Sequence, residues 1–142
     1  MNSYSPADPK GLRRFTISVP DAELQDLADR LARTRLPSLQ GPSDWSHGVP
    51  RHAMSDLLDY WSRSYDWRAT EARLNALPQY LLEIEGVDIH VVHVRSPRND
   101  ASPLILTHGW PGAITELEEI IGGLVDPGAA DIPAFDVNLP SL

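Results

Sequence analysis

No cysteine occurs in the sequence, which excludes disulfides, thiolate metal sites and cysteine nucleophiles. Positive charge is also scarce. Twelve Lys and Arg stand against twenty Asp and Glu, a formal net charge of −8. No basic stripe is available to neutralise phosphates, so no nucleic-acid partner is expected. An anionic membrane surface would repel such a chain, and the acidity reads as a source of solubility. No apolar run approaches the ~18 residues of a membrane helix. The opening "MNSYSPADPKGLRR" lacks the apolar core of a signal peptide. A cytoplasmic protein without a membrane partner is the expectation.

What is present is ordinary for a folded domain. The chain has 142 residues, 42% hydrophobic and 23% charged, which argues against wholesale disorder.

Residues 1–14 read as a mobile tail, and "FTISV" (Phe15–Val19) as a short strand or extended segment. "PDAELQDLADRLARTRLP" then reads as a helix opened by Pro20 and Asp21 and stopped by Pro37. Its Leu24, Leu27, Ala28 and Leu31 form one apolar stripe. "LPSLQGPSDWSHGVP" (36–50) is an irregular, Pro- and Gly-rich linker that burial of Trp45 would pin. Two further helices are expected near 51–62, with Met54, Leu57, Leu58 and Trp61 as its stripe, and near 67–76, capped by Asp66.

The period changes after Pro78. "YLLEIEGVDIHVVHV" alternates around Glu85-Gly86, as a β-hairpin does. "PLILTHG" is a continuous apolar run, expected to be a strand buried on both faces. "ITELEEIIGGL" predicts a helix ending at Gly122-Gly123, and "FDVNLPSL" begins another strand. A strand–helix–strand order predicts a parallel crossover in an α/β sheet.

In such sheets ligands sit beyond the carboxyl ends of the parallel strands, and His108-Gly109-Trp110-Pro111 occupies such an end. Gly109 permits a sharp turn. Pro111 removes a donor and presets φ for a helix start. The Trp110 N–H is left free where negative charge is welcome, which makes it half of an oxyanion hole. Trp110-Pro111 is a candidate cis bond.

Five blocks in fixed order, "FTISVPDAELQDLADRLARTRLP", "YWSRSYDWRATEARLNALPQY", "IEGVDIHVVHVRS", "PLILTHGWPG" and "FDVNLPSL", resemble the N-terminal part of microsomal-type epoxide hydrolases. The resemblance runs from Phe15 to Leu142. It implies an α/β fold: the first strands and first crossover helix of an α/β-hydrolase core (80–142), incomplete before the nucleophile elbow. A helical N-terminal extension (15–79) precedes that core, and the mobile tail (1–14) precedes the extension. It further implies hydrolysis of epoxides to vicinal diols through an aspartyl ester, with no metal and no cofactor. By the same resemblance the backbone N–H of Trp110 holds the oxyanion formed during ester hydrolysis, with His108, Gly109 and Pro111 as the supporting motif.

The G-x-[nucleophile]-x-G elbow occurs nowhere in these 142 residues. By resemblance the nucleophile, acid, catalytic histidine and lid tyrosines would follow it. The chain is therefore expected to be a fragment, inactive alone. A small apolar epoxide would be its substrate once a C-terminal part completed it, and the open sheet edge would invite self-association. A non-catalytic interaction module, or half of a split enzyme, is the alternative; another α/β-hydrolase reaction is the weaker one. Ala113 stands where the family usually has serine, which is expected to alter one helix-capping bond and little else. Asn138 places an amide where an apolar strand residue is expected.

Other candidates read blandly. His108 fixes the turn rather than acting as a base. His90 and His93, three apart on a strand, face opposite sides and cannot chelate together. His47 and His52 are surface residues. Trp45, Trp61 and Trp67 pack the helical extension, while Trp110 is placed as a pocket wall. Glu116, Glu118 and Glu119 read as a solvated helix face, with a local hydrogen bond open to Glu116.

Overall fold

The structure, a computed structural model, describes residues 11–38 and 44–142. Most of the expected tail and residues 39–43 of the linker lie outside the described residues. Two compact units result. One is Ser18–Glu71; the other is Ala72–Leu142 together with the stretch up to Ile17.

The first unit is helical. Helix α1 (Asp21–Ala32) and helix α2 (Arg51–Arg63) each begin just after a proline, Pro20 and Pro50, where a missing N–H costs nothing. A 3-10 turn, Trp45–His47, lies in the linker, held by Asp44 accepting the Ser46 N–H at 3.0 Å. Helix α3 (Trp67–Leu74) starts on Asp66, whose carboxylate accepts the Ala69 N–H at 3.2 Å, the cap that the sequence predicts. Glu71 binds the strand-like lead into α1: it accepts the Val19 N–H at 2.9 Å and the Trp67 indole N–H at 3.2 Å. Donation by Val19, followed by that of Arg68, holds the Glu71 carboxyl below its ordinary range.

Of the three tryptophans expected to pack the extension, Trp67 is half-buried and the other two are exposed. Trp45 is 65% exposed and Trp61 43%, so burial of Trp45 does not pin the linker. The stripes of α1 and α2 instead face each other across an open apolar groove of about 620 Å³. Leu24, Leu27 and Leu31 line it from α1, and Leu57, Tyr60 and Trp61 from α2. No residue of either helix is fully buried.

The second unit is a five-stranded sheet with α4 on it. Its strands are β1 (Leu12–Arg14), β2 (Gln79–Ile84), β3 (Val87–Val94), β4 (Ser102–Ile105) and β5 (Phe135–Pro140), in the order β1-β2-β3-β5-β4. All neighbours are antiparallel except β4 and β5, which pair in parallel from Ser102↔Phe135 to Ile105↔Asn138. Helix α4 (Glu118–Val125) makes the connection between them. The parallel crossover read from the sequence is present. Glu85 (φ 51°) and Gly86 (φ 81°) form the β2–β3 turn with two positive φ angles, the type I′ geometry that matches strand twist.

Val92 and Val94 from β3, Val137 and Leu139 from β5, and Ile121 and Val125 from α4 form the core, each at most 1% exposed. Alternation on the strands and the i, i+4 pair on the helix bring them together.

Four local expectations are corrected. The N-terminal strand is Leu12–Arg14, inside the stretch read as tail, whereas Phe15 only continues the pairing through its N–H to the Gln79 carbonyl at 2.9 Å. The helix does not end at Gly122-Gly123 but runs through to Val125; burial of Ile121 and Val125 outweighs the ~1 kcal/mol propensity cost of each glycine. It also starts later, after a 3-10 turn at Ile114–Glu116, with Ala113 offering no side-chain cap. Finally, β4 is not buried on both faces: it lies at the sheet edge, and Ile105 is 68% exposed.

Candidate functional site

The corner His108–Gly112 follows the carboxyl end of β4, beside the end of β5. Leu106 extends the strand pairing by one step, its N–H donating to the Asn138 carbonyl at 3.0 Å. The chain then turns. The Gly112 N–H donates to the Gly109 carbonyl at 2.7 Å and closes the loop around a cis Trp110–Pro111 bond. Pro111 does not begin a helix; Gly112 and Ala113 separate it from the 3-10 turn.

Gly112, rather than Gly109, is the glycine that the turn needs. A Cβ on Gly112 would lie 2.5 Å from the Gly109 carbonyl oxygen and 2.6 Å from Glu116 Oε1, whereas a Cβ on Gly109 would meet nothing within 4 Å. The sequence pattern put the requirement one turn too early. The doubled glycine in "HGWPG" was its only signal.

His108 sits at the hub of the corner. Its Nδ1 lies 3.0 Å from the Gly109 carbonyl oxygen, and its Nε2 accepts the Leu142 N–H at 3.3 Å. Nothing in the sequence pointed to Leu142, because the pairing spans 34 residues. Trp110 is 96% exposed. Its backbone N–H takes no acceptor among the described residues. Glu116, in the 3-10 turn, borders Gly112; Glu116 and Glu119 are exposed as expected, whereas Glu118 at the start of α4 is half-buried and pairs with Arg73.

Two polar networks flank the neighbouring strand β5. On β3, His90 Nε2 lies 2.9 Å from Gln79 Oε1 and His90 Nδ1 lies 2.7 Å from Ser141 Oγ. Gln79 is buried, and its amide N–H donates to the Leu74 carbonyl at 2.8 Å. That donation turns Oε1 toward His90, so Nε2 carries the proton and Nδ1 accepts from Ser141. Burial pushes the His90 pKa below its ordinary value. His93 reaches a different partner, Asn138 Oδ1 at 2.7 Å. The two histidines of H-x-x-H thus serve separate networks, as strand geometry requires. Asn138 Nδ2 donates to the Leu104 carbonyl at 3.3 Å, so the amide that looked misplaced stitches β3, β5 and β4 together.

Comparison with known proteins places this architecture. The family model described as "Epoxide hydrolase N terminus" matches residues 12–117. A protein of Stigmatella aurantiaca named "Putative epoxide hydrolase" is 45% identical over 135 residues, 93% of this chain and 31% of that protein. "Epoxide hydrolase 1" of Sus scrofa is 34% identical over 96% of this chain and 32% of its own length. Among solved structures, the Aspergillus niger epoxide hydrolase superposes with a TM-score of 0.80 at 33% identity, covering 92% of this chain and 35% of that one. The juvenile hormone epoxide hydrolase of Bombyx mori gives 0.80 at 27% identity, covering 92% and 36%. The chain spans about a third of the length of each of these proteins. Its sheet and crossover helix are the first strands and first crossover of the α/β-hydrolase fold that they share. This chain belongs to the epoxide hydrolase family and corresponds to its N-terminal region.

Proposed function

We propose that this chain supplies one donor of the oxyanion hole to an epoxide hydrolase active site, and that the reaction it serves is the addition of water to an epoxide to give a vicinal diol. The observation that carries the reading is the backbone N–H of Trp110, free of any acceptor among the described residues at the carboxyl end of β4. A fixed N–H aimed at developing charge is worth on the order of 10²–10³ in rate for this type of chemistry. In this reading an aspartate on a following segment opens the epoxide to an ester, and the Trp110 N–H holds the oxyanion formed when water attacks that ester. The 142 residues contain no nucleophile elbow, so residues 80–142 act as the start of the hydrolase core and 15–79 as its extension. The setting is cytoplasmic, and no cofactor takes part.

Incubating the purified chain with an aryl epoxide such as styrene oxide tests this. No diol is expected from the chain alone. Diol is expected when the remaining segment of the Stigmatella aurantiaca relative is co-expressed with it. Diol formation by residues 1–142 unaided would overturn the mechanism.

A second reading rests on the apolar groove between α1 and α2, whose aromatic lining stays exposed. It makes the helical unit an interaction module. Size-exclusion chromatography with the same co-expressed segment decides it: a stable complex supports the module, and two separate peaks sink it.

A further inference from the structure

We propose that His108 is a positioning residue that aims the Trp110 N–H by gripping the carbonyl of Gly109; the use of that N–H as an oxyanion donor rests on the function proposed above. The Gly109 carbonyl and the Trp110 N–H belong to one peptide unit, and this unit is trans. In a planar trans peptide the two groups point in opposite directions. Whatever fixes the carbonyl therefore fixes the N–H.

Two donors fix it. The His108 ring approaches the Gly109 oxygen at 3.0 Å and the Gly112 N–H at 2.7 Å, which uses both lone pairs of that oxygen. The peptide plane cannot rotate without breaking one bond or the other. Gly112 can come this close only because it has no Cβ. The Trp110 N–H is left facing away from the turn.

His108 is itself held. Leu142 donates its N–H to Nε2, so that nitrogen must be bare. The carbonyl beside Nδ1 requires a proton on that nitrogen. Together the two contacts select the neutral Nδ1–H tautomer. A path runs from the end of β5, through one imidazole and one peptide plane, to the proposed oxyanion donor. The ring touches no reacting atom in this arrangement; it acts through the backbone.

The full chain, labelled with ¹³C and ¹⁵N, provides the test. Long-range ¹⁵N–¹H spectra should show the His108 proton on Nδ1; a proton on Nε2 would overturn the proposal even if no variant folded. His108→Asn and His108→Gln separate the two ring nitrogens. The Asn amide reaches where Nδ1 stands and can donate to Gly109; the Gln side chain reaches where Nε2 stands and cannot. Gly109 carbonyl and Trp110 amide shifts should stay near wild type in His108→Asn and move in His108→Gln and His108→Ala. Equal disturbance by Asn and Gln, or none by any of the three, refutes the role. Titration with acetate keeps the two readings apart. A Trp110 amide that ignores acetate in the wild type sinks the oxyanion reading, whereas the tautomer and the Asn/Gln contrast alone decide positioning.

Discussion

The amide of Gly112 meets the carbonyl of Gly109 at 2.7 Å, and a Cβ on Gly112 would stand 2.5 Å from the same oxygen. One obstacle to a side chain is therefore backbone, which cannot swing aside as the Glu116 carboxylate can. Gly112→Ala should lower stability by about 1–3 kcal/mol, the usual cost of overpacking a tight site. Gly109→Ala meets no atom within 4 Å and should cost no more than about 0.5 kcal/mol. Urea unfolding of both variants checks the contrast. Equal losses would show that the turn is not organised around Gly112.

Asn138 and His93 should behave as a coupled pair. The amide oxygen of Asn138 meets the ring at 2.7 Å, and its nitrogen reaches the Leu104 carbonyl at 3.3 Å. Asn138→Val supplies the residue type that a strand pattern favours, yet strands the half-buried His93 ring without its partner. A loss of about 1–3 kcal/mol is expected. In a double-mutant cycle with His93→Phe, a coupling energy of about 0.5–3 kcal/mol should appear. Additive effects would mean the contact contributes nothing to folding.

Much of this architecture could be read directly because it depends on local pattern. Alternation gave the hairpin, Glu85-Gly86 its turn, and Asp66 its cap, all of which the structure contains. The misread parts depend on distant residues. Gly122-Gly123 look like a helix stop until Ile121 and Val125 are seen locked into the core. Asn138 looks like an error until its partners arrive from β3 and β4. Trp45 and Trp61 look like core by type alone, but α1 and α2 leave their apolar stripes around an open groove. At the corner, the motif located Trp110, whereas the His108–Leu142 contact joins residues 34 apart and leaves no local trace.

Stability should fall with acid through His90. Its ring is neutral in the folded chain, since burial depresses its pKa below 6.5. The unfolded chain takes up the proton near the ordinary value, so it binds more protons as pH falls and stability drops with it. The contribution is intact above about pH 6.5 and is lost as pH descends from there toward the lower folded pKa. Urea midpoints between pH 8 and 5.5 measure it. His90→Gln, which has no titrating ring, should flatten the slope in that window; an unchanged slope would assign the effect to other groups. Glu71 responds in a lower window. Its carboxyl is held down chiefly by the Val19 N–H, so its contribution is present above the ordinary carboxylate range and lost as pH falls through the depressed value.

Self-association through the open edge of β4, an expectation from the sequence, can be measured directly. β4 pairs only with β5 among the described residues, and Ile105 on it is 68% exposed. An unpaired strand edge is a template for another strand, here blunted by its four-residue length and by Pro103, which lacks an N–H to offer. Sedimentation velocity at rising concentration should show the wild-type chain associating. Ile105→Lys places a charge on the edge without emptying the core, because Val92, Val94, Val137 and Leu139 remain in place. The variant should stay monomeric over the same range while its unfolding midpoint moves little. A wild-type chain that sediments as a monomer throughout would rule the edge out as an association surface. Association that survives the lysine would move attention to the groove between α1 and α2, where Leu57→Glu offers the matching test.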